Sequence, residues 1–330
     1  MLFSAGCAIL IFVLRRAQRG EGRAVRRFVY PIGPAEAGRT VKSLLKGKGY
    51  SSRALTRLKK DPLGLLRNGA HVRTVDLLAE GDRLEVTLRE EENTYARCDT
   101  PVPILWEDED FVAFDKPAGM PCHTSWAHPA DTLANVFAAH CDRLGMQAPF
   151  RVLGRLDQDT TGCVLVAKNQ LAASLLVARP AWVKKVYLAA VSGAPQPPAG
   201  RVDAPIARAG EDSGLRRVDP AGQRAVTNYR TLRPLPGGRS LLAFSLETGR
   251  THQIRVHMAH LGHPLLGDAL YGGDCAALSR QALHCAGLAF FHPERGEWVR
   301  LFAPLPADMA ALCGPVGEET LPFWRQEVPE

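Results

Sequence analysis

The sequence lacks the short patterns by which many enzymes hold a cofactor. No G-x-x-x-x-G-K-[ST] occurs in the 330 residues, so a nucleotide cofactor on a phosphate loop is not indicated. No H-E-x-x-H occurs and no two cysteines are spaced C-x-x-C, which removes the commonest zinc patterns. The eight cysteines (Cys7, Cys98, Cys122, Cys141, Cys163, Cys275, Cys285 and Cys313) are scattered. They read as reduced thiols of a cytoplasmic protein, several of them filling the core. Internal repeats and low-complexity tracts are also missing.

Long hydrophobic runs are lacking too. Residues 1–14 are largely apolar, and Arg15 and Arg16 follow. That run is shorter than the roughly 20 residues that cross a bilayer. No positive charge precedes it and no small-residue cleavage site follows, so it departs from a signal peptide. Residues 1–27 read as a disordered or mis-assigned extension, and no membrane partner is expected.

What is present fits a globular protein with a sizeable core and more than one domain: 46% hydrophobic and 23% charged residues. The net charge of +7 suits a polyanionic partner where the charge clusters. It does so between Arg39 and Lys60, where Arg39, Lys42, Lys46, Lys48, Arg53, Arg57, Lys59 and Lys60 crowd together. Within that stretch Val41, Leu44 and Leu45, then Leu55 and Leu58, recur at helical spacing, the second group behind Ser51 or Ser52 as a cap. Asn68-Gly69 reads as a hairpin turn, and residues 81–88 alternate as a strand does. These elements define a small domain over residues 28–90. A polar linker over 91–102 ends at prolines.

Residues 103–313 show short strands separated by Gly/Pro turns, with helices expected over 131–140, 170–178 and 251–261. This predicts an α+β fold on a largely antiparallel mixed sheet with its own core. Residues 195–222, rich in proline, glycine and charge, read as a surface excursion, and residues 314–330 as a peripheral tail.

The most informative segment is Gly154-Arg155-Leu156-Asp157-Gln158-Asp159-Thr160-Thr161-Gly162. A carboxylate sits in a loop of small hydroxyl residues, ahead of the apolar run 163–167, as in a reactive loop feeding a buried strand. Alone, Asp157 reads as a solvated turn residue. A second segment, Glu247-Thr248-Gly249-Arg250-Thr251-His252-Gln253-Ile254-Arg255-Val256-His257, changes the balance.

Together the two segments resemble the signature pair of the RluA-type pseudouridine synthases, which isomerise uridine in RNA with one aspartate and no cofactor. Further landmarks follow in the family's order: Phe111-Val112-Ala113-Phe114-Asp115-Lys116-Pro117, Lys185-Val186-Tyr187, Gly262-His263-Pro264-Leu265-Leu266-Gly267-Asp268 and Arg280-Gln281-Ala282-Leu283-His284-Cys285. Gly154 stands where many members have histidine, a departure that bears on the RNA target and not on Asp157. The N-terminal order resembles a small α/β S4-like RNA-binding domain, with Arg39, Lys42, Arg53, Arg57, Lys59 and Lys60 as its phosphate contacts.

The resemblance implies roles. Asp157 is the catalytic carboxylate, Arg255 its counter-charge, and Tyr187 the residue that stacks on uracil and assists loss of the carbon-5 proton. Arg155 fills the space of a flipped-out base, Leu283 lines the uracil pocket, and His252 contacts RNA or its own loop. His252, His257, His260 and His263 lie close in sequence, but the series crosses Gly262, where a helix should end, and no metal is expected. The partner implied is RNA, ribosomal ahead of transfer RNA. Two other readings remain: a silent RNA-binding or ribosome-assembly protein, and a hydrolase, which would need a second carboxylate for acid–base work.

Overall fold

The computed structural model describes residues 25–89, 91–210 and 213–322. The apolar segment 1–14 lies outside them.

The N-terminal unit holds β1 (Val25–Pro31), α1 (Val41–Gly47), α2 (Ser52–Lys60), β2 (Leu65–Arg67), β3 (Ala70–His71) and β4 (Arg83–Arg89), with its sheet in the order β1-β4-β2-β3. Side-chain caps start both helices: Ser43 N donates to Thr40 Oγ1 at 3.1 Å and Ala54 N to Ser51 Oγ at 3.1 Å. Val41, Leu44 and Leu45 join Ala54, Leu55 and Leu58 in a core closed by Phe28, Tyr30, Leu84 and Val86. Asn68 and Gly69 have φ of 53° and 83°, the left-handed pair that a two-residue hairpin needs. One boundary moves. Val25 to Arg27 were expected in the flexible extension, yet they pair with Arg89 to Thr87, because the strand's hydrogen-bond ladder outweighs their polar composition.

The remaining elements are β5 (Ile104–Glu107), β6 (Phe111–Lys116), α3 (Leu133–Arg143), β7 (Arg151–Leu153), β8 (Thr161–Ala167), α4 (Gln170–Val177), β9 (Val183–Ser192), β10 (Ala199–Asp203), β11 (Ile206–Arg208), β12 (Arg216–Val218), β13 (Val226–Leu235), β14 (Arg239–Leu246), α5 (Gln253–His260), β15 (Leu283–His292), β16 (Glu297–Phe302) and α6 (Ala307–Cys313). The three expected helices correspond to α3, α4 and α5. One sheet runs β10-β13-β14-β9-β15-β8-β6-β5, with β16 on β15 and β7 on β8. Among the described residues, only β8 with β15 is parallel.

Strand periodicity explains the layers. On β9, Tyr187, Ala189 and Val191 share a core with Phe137, Leu176, Ile254 and Met258 of α3, α4 and α5. Val186, Leu188 and Ala190 face the other way, onto Met309 and Cys313 of α6. With both faces covered, the strand is apolar throughout instead of alternating. Val316 and Leu321 are buried in that second cluster. The segment after Gly314 is therefore part of the core up to that point, correcting the expectation of a peripheral tail. The excursion after β9 contributes β10 to the main sheet and folds β11 against β12.

The two units are joined through α4. Leu171 belongs to the N-terminal core and Leu175 packs on it, while Ala172 and Leu176 belong to the core of the large sheet. Arg26 reaches Asp110 Oδ1 at 2.5 Å, and Arg57 donates to both Glu91 and Gln170. The C-terminal unit thus shares its core surface with the N-terminal one.

Candidate active site

Asp157 lies in the loop between β7 and β8, which is held at almost every residue. Lys185 Nζ donates to Gly154 O at 2.7 Å, and Gly154 has φ of 85°, which favours glycine. Leu156 N donates to Cys122 Sγ at 3.4 Å. Lys116, 0% exposed, donates to Gln158 O at 2.8 Å, Met120 O at 2.7 Å and Pro117 O at 2.9 Å. Gly119 N donates to Asp159 Oδ1, and Arg280 Nη1 to Asp159 O. Burial pushes the Lys116 ammonium down to about 8; three carbonyl acceptors are what make a buried ammonium tolerable.

The loop is also set by the strand beyond it. A Cβ on Gly162 would lie 2.3 Å from Cys285 O, so only glycine lets β8 approach β15 this closely. His284 bridges the same crossing: Nδ1 accepts from Thr161 Oγ1 at 2.8 Å and Nε2 donates to Ala303 O at 3.0 Å. Burial lowers this imidazole to about 4, keeping it neutral.

The opposite wall is the turn into α5. His252 has φ of 57°, a left-handed conformation that a non-glycine residue rarely adopts and that concentrates at functional sites. Its Nδ1 pairs with Tyr271 Oη at 2.8 Å, and its Nε2 stands 4.0 Å from Asp157 Oδ2. Burial lowers its pKa, partly opposed by Asp157. Buried Gln253 fixes the preceding loop: its Oε1 accepts from Arg250 N at 3.0 Å and Thr248 Oγ1 at 2.8 Å, and its Nε2 donates to Val226 O at 2.9 Å.

One turn into α5, Arg255 points at both carboxylates. Its Nε and Nη2 each lie 2.7 Å from an oxygen of Asp268, and its Nη1 lies 3.5 Å from Asp157 Oδ2. Burial opposes the charge, but the Asp268 contacts outweigh it and raise the pKa of Arg255. Tyr187 lies on the neighbouring strand, and burial raises its phenol well above the ordinary value, with the Cys285 thiol and Asp157 adding to the effect. Asp157, Tyr187, Arg255, His252, Arg155 and Leu283 all line one small cavity of about 60 Å³. It adjoins a cleft of about 710 Å³ that shares Arg155, Asp157, Tyr187 and Arg250 and runs past Lys185, Leu176 and Val177.

Comparison with known proteins agrees with this geometry. The family model described as RNA pseudouridylate synthase matches residues 110–260. The uncharacterized RNA pseudouridine synthase YjbO of Bacillus subtilis is 42% identical over 277 residues, spanning 83% of this chain and 98% of that protein. The ribosomal large subunit pseudouridine synthase D of Xanthomonas campestris is 38% identical over 272 residues, 77% of this chain and 82% of that protein. The chain belongs to the RNA pseudouridine synthase family. Among solved structures, human RNA pseudouridylate synthase domain containing 4 superposes with a TM-score of 0.52 at 26% identity, covering 67% of this chain and 92% of that one. The α+β class and the largely antiparallel sheet are those of the family.

The six cleft residues read from the sequence are thus brought together. The histidine series is dispersed: His257 binds Thr227 and Ala204 O, and His263 binds Ser192 O. Among the described residues, no group of three or more His, Cys, Asp or Glu side chains is arranged to hold a metal. Among the described residues, too, no helix is long and apolar enough to cross a membrane.

Two points differ from the sequence reading. Arg255 has Asp268 as its principal partner, with Asp157 second. In the basic N-terminal cluster, Lys42, Arg53, Lys59 and Lys60 are exposed, whereas Arg57 is turned to Glu91 and Gln170 and Arg39 donates to Ser43 O at 2.9 Å. Sequence reasoning assigned no role to Lys116, Gln253 or Asp268, although Lys116 and Gln253 sat within quoted motifs and Asp268 ended one.

Proposed function

We propose that this protein isomerises uridine to pseudouridine in structured RNA, ribosomal RNA ahead of transfer RNA, with Asp157 as the catalytic carboxylate. The reaction breaks the N1–C1′ bond, forms a C5–C1′ bond, removes the carbon-5 proton and returns one to N1. It is redox-neutral and uses no phosphoryl donor, so its balance calls for no cofactor. The observation that carries the reading is one carboxylate, Asp157, 3.5 Å from a buried arginine in a cavity shared with Tyr187 and Leu283.

An ionised carboxylate can add to substrate and leave again, and an Arg255 nitrogen lies 3.5 Å from Asp157 Oδ2 to meet its charge. Tyr187, kept neutral by burial, offers its ring to uracil and its hydroxyl as a relay that gives up its own proton as it takes the one from carbon 5. Leu283 closes the apolar side of the pocket and His252 the polar side. The target must leave its stack at a cost of a few kcal/mol, and exposed Arg155 takes the vacated place. The N-terminal unit, residues 25–89, serves as an S4-like RNA-binding domain through Lys42, Arg53, Lys59 and Lys60, and the enzyme works in the cytoplasm, where its RNA is.

Asp157→Asn tests this. The amide preserves size and packing, so RNA affinity stays near normal while pseudouridine formation vanishes. RNA carrying 5-fluorouridine at the target forms a long-lived adduct with the natural protein and none with the variant. Isomerisation by the variant above a trace sinks the assignment, and a natural protein that binds RNA without modifying any of it leaves the silent binding-protein reading.

A further inference from the structure

Trp126 is 99% exposed, the extreme among the large apolar side chains of the described residues. A tryptophan ring ordinarily buries about 150–250 Å², so full exposure at one defined point calls for a cause in a way that a stray leucine does not. The other tryptophans described each pack against a phenylalanine: Trp106 with Phe290 at 5.5 Å, Trp182 with Phe291 at 4.7 Å and Trp298 with Phe291 at 5.9 Å.

The ring is held out by a built turn. Ser125 N donates to His128 O at 3.0 Å and His128 N to Ser125 O at 3.1 Å, which leaves Trp126 and Ala127 at the tip of a four-residue turn. His128 Nδ1 pairs with Asp131 Oδ2 at 2.8 Å and braces its base. The neighbours on one side, His123, Thr124 and Ser125, line the same cleft as Asp157. That cleft also carries Arg155, Lys185 and Arg250, charges that suit a phosphate backbone.

We propose that Trp126 is a stacking platform for an unpaired nucleobase flanking the uridine held over Asp157. The proposal rests on the uridine-isomerase reading. Once the target flips out, the base beside it loses a stacking neighbour, and the exposed indole next in the chain to cleft-lining Ser125 replaces it. Every base presents a π face, so the contact tolerates sequence while demanding that the flanking nucleotide be unpaired. Trp126 is thereby a positioning residue that selects loops over duplexes.

The test uses the full chain and a large-subunit ribosomal RNA transcript. Trp126→Ala should lower kcat/KM about 5- to 150-fold, the equivalent of one base–aromatic stack. The loss should fall in KM, with kcat at saturating RNA and the melting temperature unchanged. Trp126→Phe should stay within about threefold of the natural protein, since a ring remains. Separately, the fluorescence difference between the natural protein and Trp126→Phe should be quenched by a poly(A) dodecamer and not by an abasic ribose-phosphate chain of equal length. That measurement does not depend on turnover, so it still decides the stacking question if the isomerase reading itself fails. Natural rates in Trp126→Ala, equal losses in the Ala and Phe variants, or quenching by the abasic chain would each overturn the proposal. A variant normal on naked RNA and defective only on assembled ribosomal particles would also overturn it, because the ring would then meet a protein.

Discussion

Asp268 holds the guanidinium of Arg255 with two contacts of 2.7 Å, leaving one nitrogen, Nη1, 3.5 Å from Asp157. Asp268 is 1% exposed and the Tyr271 ring lies 5.0 Å from the guanidinium carbon, so the arginine has little freedom. This arrangement answers a conflict in the chemistry. In the proposed role of Asp157, a catalytic carboxylate needs a cation close by, but a tight bidentate pair would occupy both of its oxygens. Here the tight pair is formed with Asp268, and Asp157 receives a looser contact.

Asp268→Asn tests that division of labour. The amide keeps the shape, but it loses the charge and one acceptor, so the guanidinium shifts toward Asp157. Turnover under single-turnover conditions should fall about 10²-fold, as a displacement near 1 Å at a reacting centre does. RNA affinity should hold within about threefold, because Asp268, 1% exposed, does not meet the backbone. An unchanged rate would mean that Asp268 only fills space.

Removing the arginine has a second consequence. Arg255→Ala should nearly abolish turnover, and it leaves Asp268 buried without a partner, a cost of about 3–5 kcal/mol in denaturant unfolding. Arg255→Met combined with Asp268→Leu replaces the pair by apolar groups of similar volume. Stability should recover most of that loss while activity stays absent. A double variant as unstable as the single one would show that packing, and not the stranded charge, sets the cost.

That Asp157, Tyr187 and Arg255 share one cleft was legible in the sequence through the family resemblance that aligns their motifs; the residues alone left Asp157 a turn residue and Tyr187 a core strand residue. Their supports were harder to read because the contacts span long separations. Lys116 reaches Gln158, and His284 reaches Thr161 across β8 and β15; no local period links such residues. Asp268 sat in plain view at the end of a motif, but its partner could not be chosen among several arginines. Helices α1 and α2 followed from apolar spacing and a cap, and the strand β9 from the resemblance that carries Tyr187. Arg57 misled for the opposite reason. A basic side chain on a helix face looks the same whether it meets phosphate or, as here, Glu91 and Gln170 at a joint between units.

Lys116 gives the site a pH dependence whose sign differs for stability and for activity. Burial takes its pKa from 10.5 down to about 8. Between those values the unfolded chain holds more protons than the folded one, so this group makes folding more favourable as pH rises, by up to about 3 kcal/mol. Activity moves the other way. The ammonium has three donors for the carbonyls of Pro117, Met120 and Gln158, and the neutral amine has two. The catalytic loop should loosen and kcat should decline above about pH 8, with no matching fall in melting temperature. Nitrogen NMR of labelled lysines should find one side chain titrating near that value and missing in Lys116→Met. A Lys116 that titrates above 10 would remove the explanation.

Helix α4 is shared between the N-terminal unit, the proposed RNA-binding domain, and the core of the large sheet. Deleting residues 1–90 should weaken RNA binding and flatten its salt dependence, because exposed lysines and arginines leave with it. It also uncovers buried Leu171, worth about 1.5–3 kcal/mol, and the partly buried Leu175, worth less, and takes Arg26 from Asp110. The sheet and its core should still fold, since they draw on residues after Phe111. Helix α4 should not stay as firm. Its end residue Val177 and neighbour Leu176 line the cleft that contains Asp157, so kcat should fall as well as affinity. Hydrogen exchange over residues 170–177 reads the loosening directly, and Leu171→Glu in the full chain should reproduce it while keeping every basic residue in place. If the truncated protein loses only affinity, with α4 protection and kcat intact, the two units act independently and the joint carries no catalytic role.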